Sequence, residues 1–394
     1  MNAKRAEFEE IGHSGGKVTV IIGETERGLT HSMGYSISNP VPCRLVTLYA
    51  LPQGIPIERI NTAGMGVEFP PPSVPGSYVV MLASDREGHF GRTCQFCKKY
   101  WRASDAAQAK SGYCAYCGQM PTSLFMTDRQ RIYVQSVCSV ISHGLNQGPG
   151  EYVWDLDELG HDSKDINARA FYLADERQQT HSLCHACGFG QDVLGRASYC
   201  CACGTRNDRV FLISDLDNAK QRARDGALEG ALRDTVSATD SFISMVVKQL
   251  VERVPLSAAR KAYWGGNNRP RHKFEEAVRR FDADFGFKIA ASLKPKELEL
   301  AKIMFARRHL HEHGGGIVDQ TYLDETGDPL RLGQTLKEDS ESVFGLIGAI
   351  SKASAALMEG FHELFPPSES AIAMGEKYGR VERARKWYPE SSQK

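Results

Sequence analysis

Four Cys-x-x-Cys pairs constrain this chain more than any other feature it carries. Cys94 and Cys97 are followed, after sixteen residues, by Cys114 and Cys117; Cys184 and Cys187 are followed, after twelve, by Cys200 and Cys203. Each pair sets two thiolates on one tight turn, and two such turns close a tetrahedral site with no open position, the arrangement of structural zinc. Two Zn2+ ions are therefore the expected cofactors. Cys201 lies inside the last pair, which leaves Cys200 or Cys201 as third ligand of the second site. A disulfide scaffold is the competing use of eleven cysteines, but that class is short and small-cored, and this chain has 394 residues. The expectation is a reduced, cytoplasmic protein.

The two quartets read as copies. "SGYCAYCG" in the first corresponds to "ASYCCACG" in the second, with Gly118 and Gly204 placed where a knuckle needs positive φ. This resembles a pair of zinc ribbons, at 89–122 and 171–212. Metal in such modules replaces a core too small to fold alone, which makes scaffold or protein contact one reading. Nucleic-acid contact is the sharper one, since "KKYWR" offers Lys98, Lys99 and Arg102 to phosphates and Trp101 to bases. A thiolate redox switch is a third.

Elsewhere the pattern shifts twice. Residues 1–88 hold short apolar runs, "KVTVII", "RLVTLYAL" and "SYVVMLA", between Gly, Pro and Asn clusters, which predicts a β-rich domain of unknown role. Residues 123–170 predict a connector, a helix followed by the acidic surface stretch "EYVWDLDELGHDSKD". From 214 to 365 apolar residues recur at helical spacing, Leu232, Val236, Ile243, Val247 and Leu250 among them, and predict an all-α bundle. A polar tail, 366–394, closes the chain. The fold class expected is multidomain α+β. Lys+Arg and Asp+Glu both number 48, so any nucleic-acid contact must come from local patches, and no run approaches the roughly 20 apolar residues of a membrane span.

Within the helical region, "RRHLHEHGGG" crowds cations and histidines onto one helix end. Arg308, His309 and His313, in a helix that follows a long first helix and precedes a final one, resemble the R-x4-H signature of the HEPN domains. The resemblance implies a metal-independent endoribonuclease acting as a homodimer, with Arg308 and His313 as catalytic pair, His309 in support and an acidic residue on the first helix behind the arginine. Asp240 is best placed for that role, with Glu229 behind it. It also implies RNA as substrate, 2′,3′-cyclic phosphate products, and a toxin or antiphage-defence setting in which the front half senses or binds a regulatory protein. Regular helix geometry puts Arg308 and His313 about 140° apart, so the expectation is that the last turn loosens at the glycines and lets His313 swing inward. Glu312, i+4 from Arg308, reads as a surface partner, and Arg307 as a phosphate contact or a solvent-facing cation. A basic stretch with interleaved rings, holding Arg269 and Arg271 near Tyr263 and Trp264, reads either as an RNA-binding loop or as a linker with two core aromatics. The alternative for the whole chain is a non-catalytic, zinc-dependent module that binds nucleic acid or protein.

Overall fold

A computed structural model describes residues 16–387 apart from 27, 37, 39–43, 61–68, 85–87, 104–111, 122–123, 162–178, 196–198 and 266–273. The chain forms two compact units: residues 1–204 with 368–384, and residues 205–367 with 385–394.

The first unit opens with two antiparallel sheets. β1 (Lys17–Thr25) lies between β2 (Gly28–Ser36) and β8 (Gly150–Asp155), while β3 (Leu45–Ala50) lies between β4 (Pro56–Ile60) and β5 (Tyr78–Ala83). Alternation along β1 buries Val18, Val20 and Ile22 and leaves Ile21 half exposed, the period-two pattern of a sheet covered on one face. The cover is α1 (Asp128–Gln147), whose Val134, Val137, Cys138 and Ile141 meet both sheets in one core. A capping box between Thr127 and Gln130 starts this helix.

The expected connector is therefore not one. Its helix completes the N-terminal core, and "EYVWD" is a strand paired in register with β1, from Lys17↔Asp155 to Ile22↔Gly150. Tyr152 and Trp154 pack on the core while Glu151 faces solvent, so part of the expected acidic surface is the outer face of a strand. α2 (Leu156–His161) follows and buries Leu156 in the same core.

Both cysteine quartets share a third sheet. β6 (Phe90–Thr93) and β7 (Tyr100–Ala103) flank the first knuckle; β9 (Gln179–Leu183) and β10 (Gly190–Leu194) flank the third. The strand order β6-β7-β10-β9 is palindromic, joined at its centre by Arg102↔Asp192 and Ala103↔Gln191. The remaining knuckles pair reciprocally: Tyr113 donates its backbone N–H to the Cys201 carbonyl (2.9 Å), and Tyr199 donates to that of Ala115 (3.0 Å). The sequence repeat is thus a local pseudo-twofold, and the two modules are halves of one structure.

The polar tail is also a correction. α10 (Glu369–Lys377) and α11 (Arg380–Trp387) are helices, and Ala371 and Ile372 join the core of the second cysteine cluster.

In the second unit, α3 (Asp208–Arg224), α4 (Leu228–Arg253), α7 (Pro295–His313) and α9 (Ser340–Leu364) form the bundle, with α5 (Ala258–Gly265), α6 (Phe274–Phe285) and α8 (Gln320–Thr326) around it. The apolar stripe foreseen on α4 is buried, and Pro255 falls just past its end. α9 is long and apolar enough to cross a membrane by length and composition, although 56% of its most apolar window is buried within the unit. Arg206 and Asp208 form a fully buried ion pair at the start of α3, and the Arg206 guanidinium lies over the Phe361 ring at 5.1 Å.

Candidate functional site

Each cysteine quartet gathers its four Sγ atoms to within 4.8 Å of one another. Across the first, Cys94–Cys117 and Cys97–Cys114 are both separated by 3.7 Å; across the second, Cys184–Cys203 stand at 3.6 Å and Cys187–Cys200 at 3.5 Å. A tetrahedral metal with bonds of about 2.3 Å to sulfur requires sulfurs about 3.8 Å apart, so both clusters fit such an ion. Backbone N–H groups of Phe96, Tyr116 and Ala202 point at Cys94, Cys114 and Cys200 Sγ (3.3–3.4 Å), as suits thiolates. Cys200, not Cys201, takes the third position. Cys201 is buried beside the cluster, and burial pushes its thiol up to about 11, which keeps it neutral.

All four knuckles close alike, with a left-handed residue after the second cysteine. Gly118, Gly188 and Gly204 fill three of these positions at φ 66°, 67° and 77°. The first is Lys98 at φ 59°, the single non-glycine residue with positive φ among the described residues. That conformation costs a side chain on the order of 1–2 kcal/mol.

The clusters differ in cover. All four cysteines of the second are buried, whereas Cys97 and Cys117 of the first are partly open. At the second, a Cβ on Gly188 would stand 2.1 Å from the Arg380 carbonyl oxygen, and one on Gly375 2.2 Å from that of Cys187. Glycine on both sides lets α10 and α11 lie directly on the knuckle.

Two residues expected to touch nucleic acid are interior. Trp101 has no exposed surface and packs edge-on against Phe125 at 4.9 Å. Arg102 is buried, its Nη2 2.9 Å from Asp192 Oδ2, because β7 is covered on both faces. Asp192 also bonds His181 Nδ1 and lies 3.7 Å from His89 Nδ1. Burial alone would raise the Asp192 carboxyl, but His181, His89 and Arg102 outweigh it and hold the carboxyl below its usual range. Lys98 and Lys99 remain exposed.

The chain matches no family model, no curated protein and no solved structure. What the helix end does is therefore read from its own geometry.

α7 stays regular through His313, and the Gly314 N–H continues the ladder to the Leu310 carbonyl at 2.8 Å. The expected loosening does not occur, and His313 remains 64% exposed on its side chain. The crowded segment sorts instead into three i,i+4 pairs. Arg308 Nη1 meets Glu312 Oε2 at 3.0 Å, and the same oxygen lies 3.9 Å from His313 Nε2, so Glu312 stands between the two residues of the motif. His309 and His313 hold their rings 4.8 Å apart. A groove of about 590 Å³ runs past this face, lined by Arg308, His309, Arg279 and Lys302 together with the acids Asp240, Glu275, Glu276, Asp319 and Glu325. Arg308 is 16% exposed, and its Nε has no hydrogen-bond partner among the described residues.

The third pair, Arg307 and His311, corrects the reading of Arg307 as a phosphate contact or solvent-facing cation. Arg307 reaches Asp328 (2.8 Å), Glu338 (3.3 Å) and the Tyr322 hydroxyl (3.2 Å); His311 Nε2 meets Glu338 Oε1 at 2.8 Å. Burial would lower the Arg307 pKa, but its bonds to Asp328 and Tyr322 raise it further. Burial and the bond to Asp328 push Tyr322 up to about 12. This network fastens the segment after the glycines, where the Leu336 N–H donates to the Gly316 carbonyl (2.8 Å), back onto α7.

Of the basic stretch, Arg269 and Arg271 lie outside the described residues. Its rings are structural: Trp264 is buried and donates to Asp284 (2.8 Å), and Tyr263 donates to Glu276 (2.6 Å) beneath the Arg280 guanidinium.

Proposed function

We propose that this protein is a two-zinc, RNA-cleaving protein whose helical unit acts as a metal-independent endoribonuclease of the HEPN type. One observation carries the reading: Arg308 lines a groove of about 590 Å³ together with His309 and Asp240, and the ring of His313 lies 4.8 Å from that of His309.

In this reading Arg308 exchanges Glu312 for a scissile phosphate and stabilises its growing negative charge. A neutral imidazole of the His309–His313 pair takes the proton of the adjacent 2′-hydroxyl, the 2′-oxygen attacks phosphorus, and the bond to the 5′-oxygen breaks. The leaving oxygen takes up a proton from water and the imidazolium returns its own to solvent, giving a 2′,3′-cyclic phosphate and a 5′-hydroxyl. The nucleophile belongs to the substrate, so no metal is needed to make one. A second copy of the bundle would bring a second motif to the same cleft. The metal clusters hold zinc, because four thiolates in tetrahedral array favour that ion, and their role is to fold the first unit.

The test is incubation of the full chain with mixed cellular RNA in mild EDTA, beside Arg308→Ala/His313→Ala. Fragments with cyclic phosphate ends from the wild type alone support the reading. Absence of cleavage by the wild type favours a binding module, which the Glu312 grip on Arg308 and the exposure of His313 also suit.

A further inference from the structure

The pseudo-twofold makes the two outer knuckles direct controls for each other. Phe96 corresponds to Ala186, Lys98 to Gly188 and Lys99 to Phe189. On the second module these residues serve an internal joint: Gly188 admits the Arg380 backbone, Phe189 is buried, and the Arg380 guanidinium lies 6.0 Å from the Phe189 ring. On the first module they cannot, because Lys98 carries a Cβ where the second module needs none.

What the first knuckle offers instead is an aromatic ring among cations. Phe96 is 57% exposed, and both Lys98 and Lys99 face solvent. Lys99 Nζ is steadied 5.0 Å from the Tyr116 ring. Beside the knuckle lies a groove of about 420 Å³ lined by Lys98, Arg131, Gln95, Gln135, Thr93 and Ile55. Its one acid, Asp128, is ion-paired to Arg131 at the surface, a contact that exchanges readily for another anion. Lysine is a poor choice for a left-handed position that glycine fills in the other three knuckles, so its side chain is retained at a conformational cost.

We propose that this knuckle binds single-stranded RNA, with Phe96 stacked on a base and Lys98 and Lys99 on the flanking phosphates. A flat apolar face bordered by negative charge is the chemistry that a ring flanked by cations recognises. The choice of RNA over DNA rests on the function proposed above; the site itself does not.

The experiment measures binding of a fluorescein-labelled 12-nucleotide RNA by anisotropy. The zinc-loaded full chain carries Arg308→Ala/His313→Ala, so that binding is read without cleavage and failure of the nuclease reading does not affect the result. Phe96→Ala is expected to weaken binding roughly tenfold or more and to leave the salt dependence unchanged. Lys98→Gly is expected to weaken it and to lower the slope of log K against log salt by about 0.7, the value for one phosphate contact on a single strand. Lys98→Gly should also leave the melting temperature unchanged or raise it, because glycine relieves the backbone, so weaker binding there is not misfolding. The same sequence as a duplex should bind less well, its bases being stacked already. A DNA strand bound equally well supports the stacking site and removes the preference for RNA. Wild-type affinity in both variants overturns the proposal, as does displacement of the RNA by polyglutamate at equal charge, which would mark a surface for acidic protein.

Discussion

Asp192 gathers the charge of the paired sheet, and its replacement by Asn should destabilise both cysteine modules together. Its side chain is 4% exposed, that of Arg102 5%, and the two stand 2.9 Å apart. At an effective dielectric of about 20, that separation gives an attraction on the order of 6 kcal/mol. Desolvation of the two ions offsets much of it, so the intact pair adds little net stability. Asp192→Asn removes the attraction and leaves the desolvated guanidinium, at a cost of about 3–5 kcal/mol. In a unit of this size that lowers Tm by about 6–20 °C. Thermal unfolding of the zinc-loaded protein, followed by near-UV circular dichroism, measures it. The pH dependence supplies a second check. The Asp192 carboxyl is held below its usual range in the folded state, so its contribution is present above the unfolded value of about 3.9 and is lost as pH falls through the folded one. The gap between wild type and Asp192→Asn should be full at pH 5 and shrink below about pH 4. Replacing both partners, as Arg102→Leu/Asp192→Leu, should recover most of the loss. A Tm within about 2 °C of wild type for Asp192→Asn would refute the account.

Three further outcomes follow from the geometry. The protein should bind two zinc ions per chain by elemental analysis, Cys97→Ser should bind one, and a mercurial should release the ion of the partly open first cluster before that of the buried second. Gly188→Ala should cost about 2–4 kcal/mol through its left-handed φ and its clash with the Arg380 carbonyl, and limited proteolysis with mass spectrometry should show residues 368–384 released early. Glu338→Gln, at a side chain 1% exposed between Arg307 and His311, should lower stability by about 2–4 kcal/mol and speed hydrogen exchange at Gly316 and Leu336.

The metal clusters were legible because their ligands are local: two residues between cysteines fix a knuckle whatever surrounds it. The bundle was legible because α4 and α9 repeat apolar residues at helical spacing over six turns or more. The joining of the two modules was not, since the β7–β10 register is a non-local choice between strands 90 residues apart. That choice also buried Trp101 and Arg102. A strand covered on both faces has no alternation to read, and "YWRA" by composition looks like an exposed basic ring cluster. β8 failed for the opposite reason: Tyr152 and Trp154 do alternate with outward residues, but one of these is the apolar Val153, and the acids Glu151 and Asp155 on either side give the stretch the look of charged surface.

The helix end shows how far a motif can be read before its partners are known. Steps of four residues put 307 with 311, 308 with 312 and 309 with 313. The sequence alone could have sorted these rows, but not said which one faces inward. That was decided by Glu338 and Asp328, two acids beyond the glycines that claim Arg307 and His311 for folding. The residues left to the groove are Arg308 and His309, whose i+4 neighbours are Glu312 and His313. An anion that takes the place of Glu312 on Arg308 Nη1 also frees the carboxylate that lies 3.9 Å from His313 Nε2. One exchange at Glu312 thus changes the surroundings of both residues of the motif.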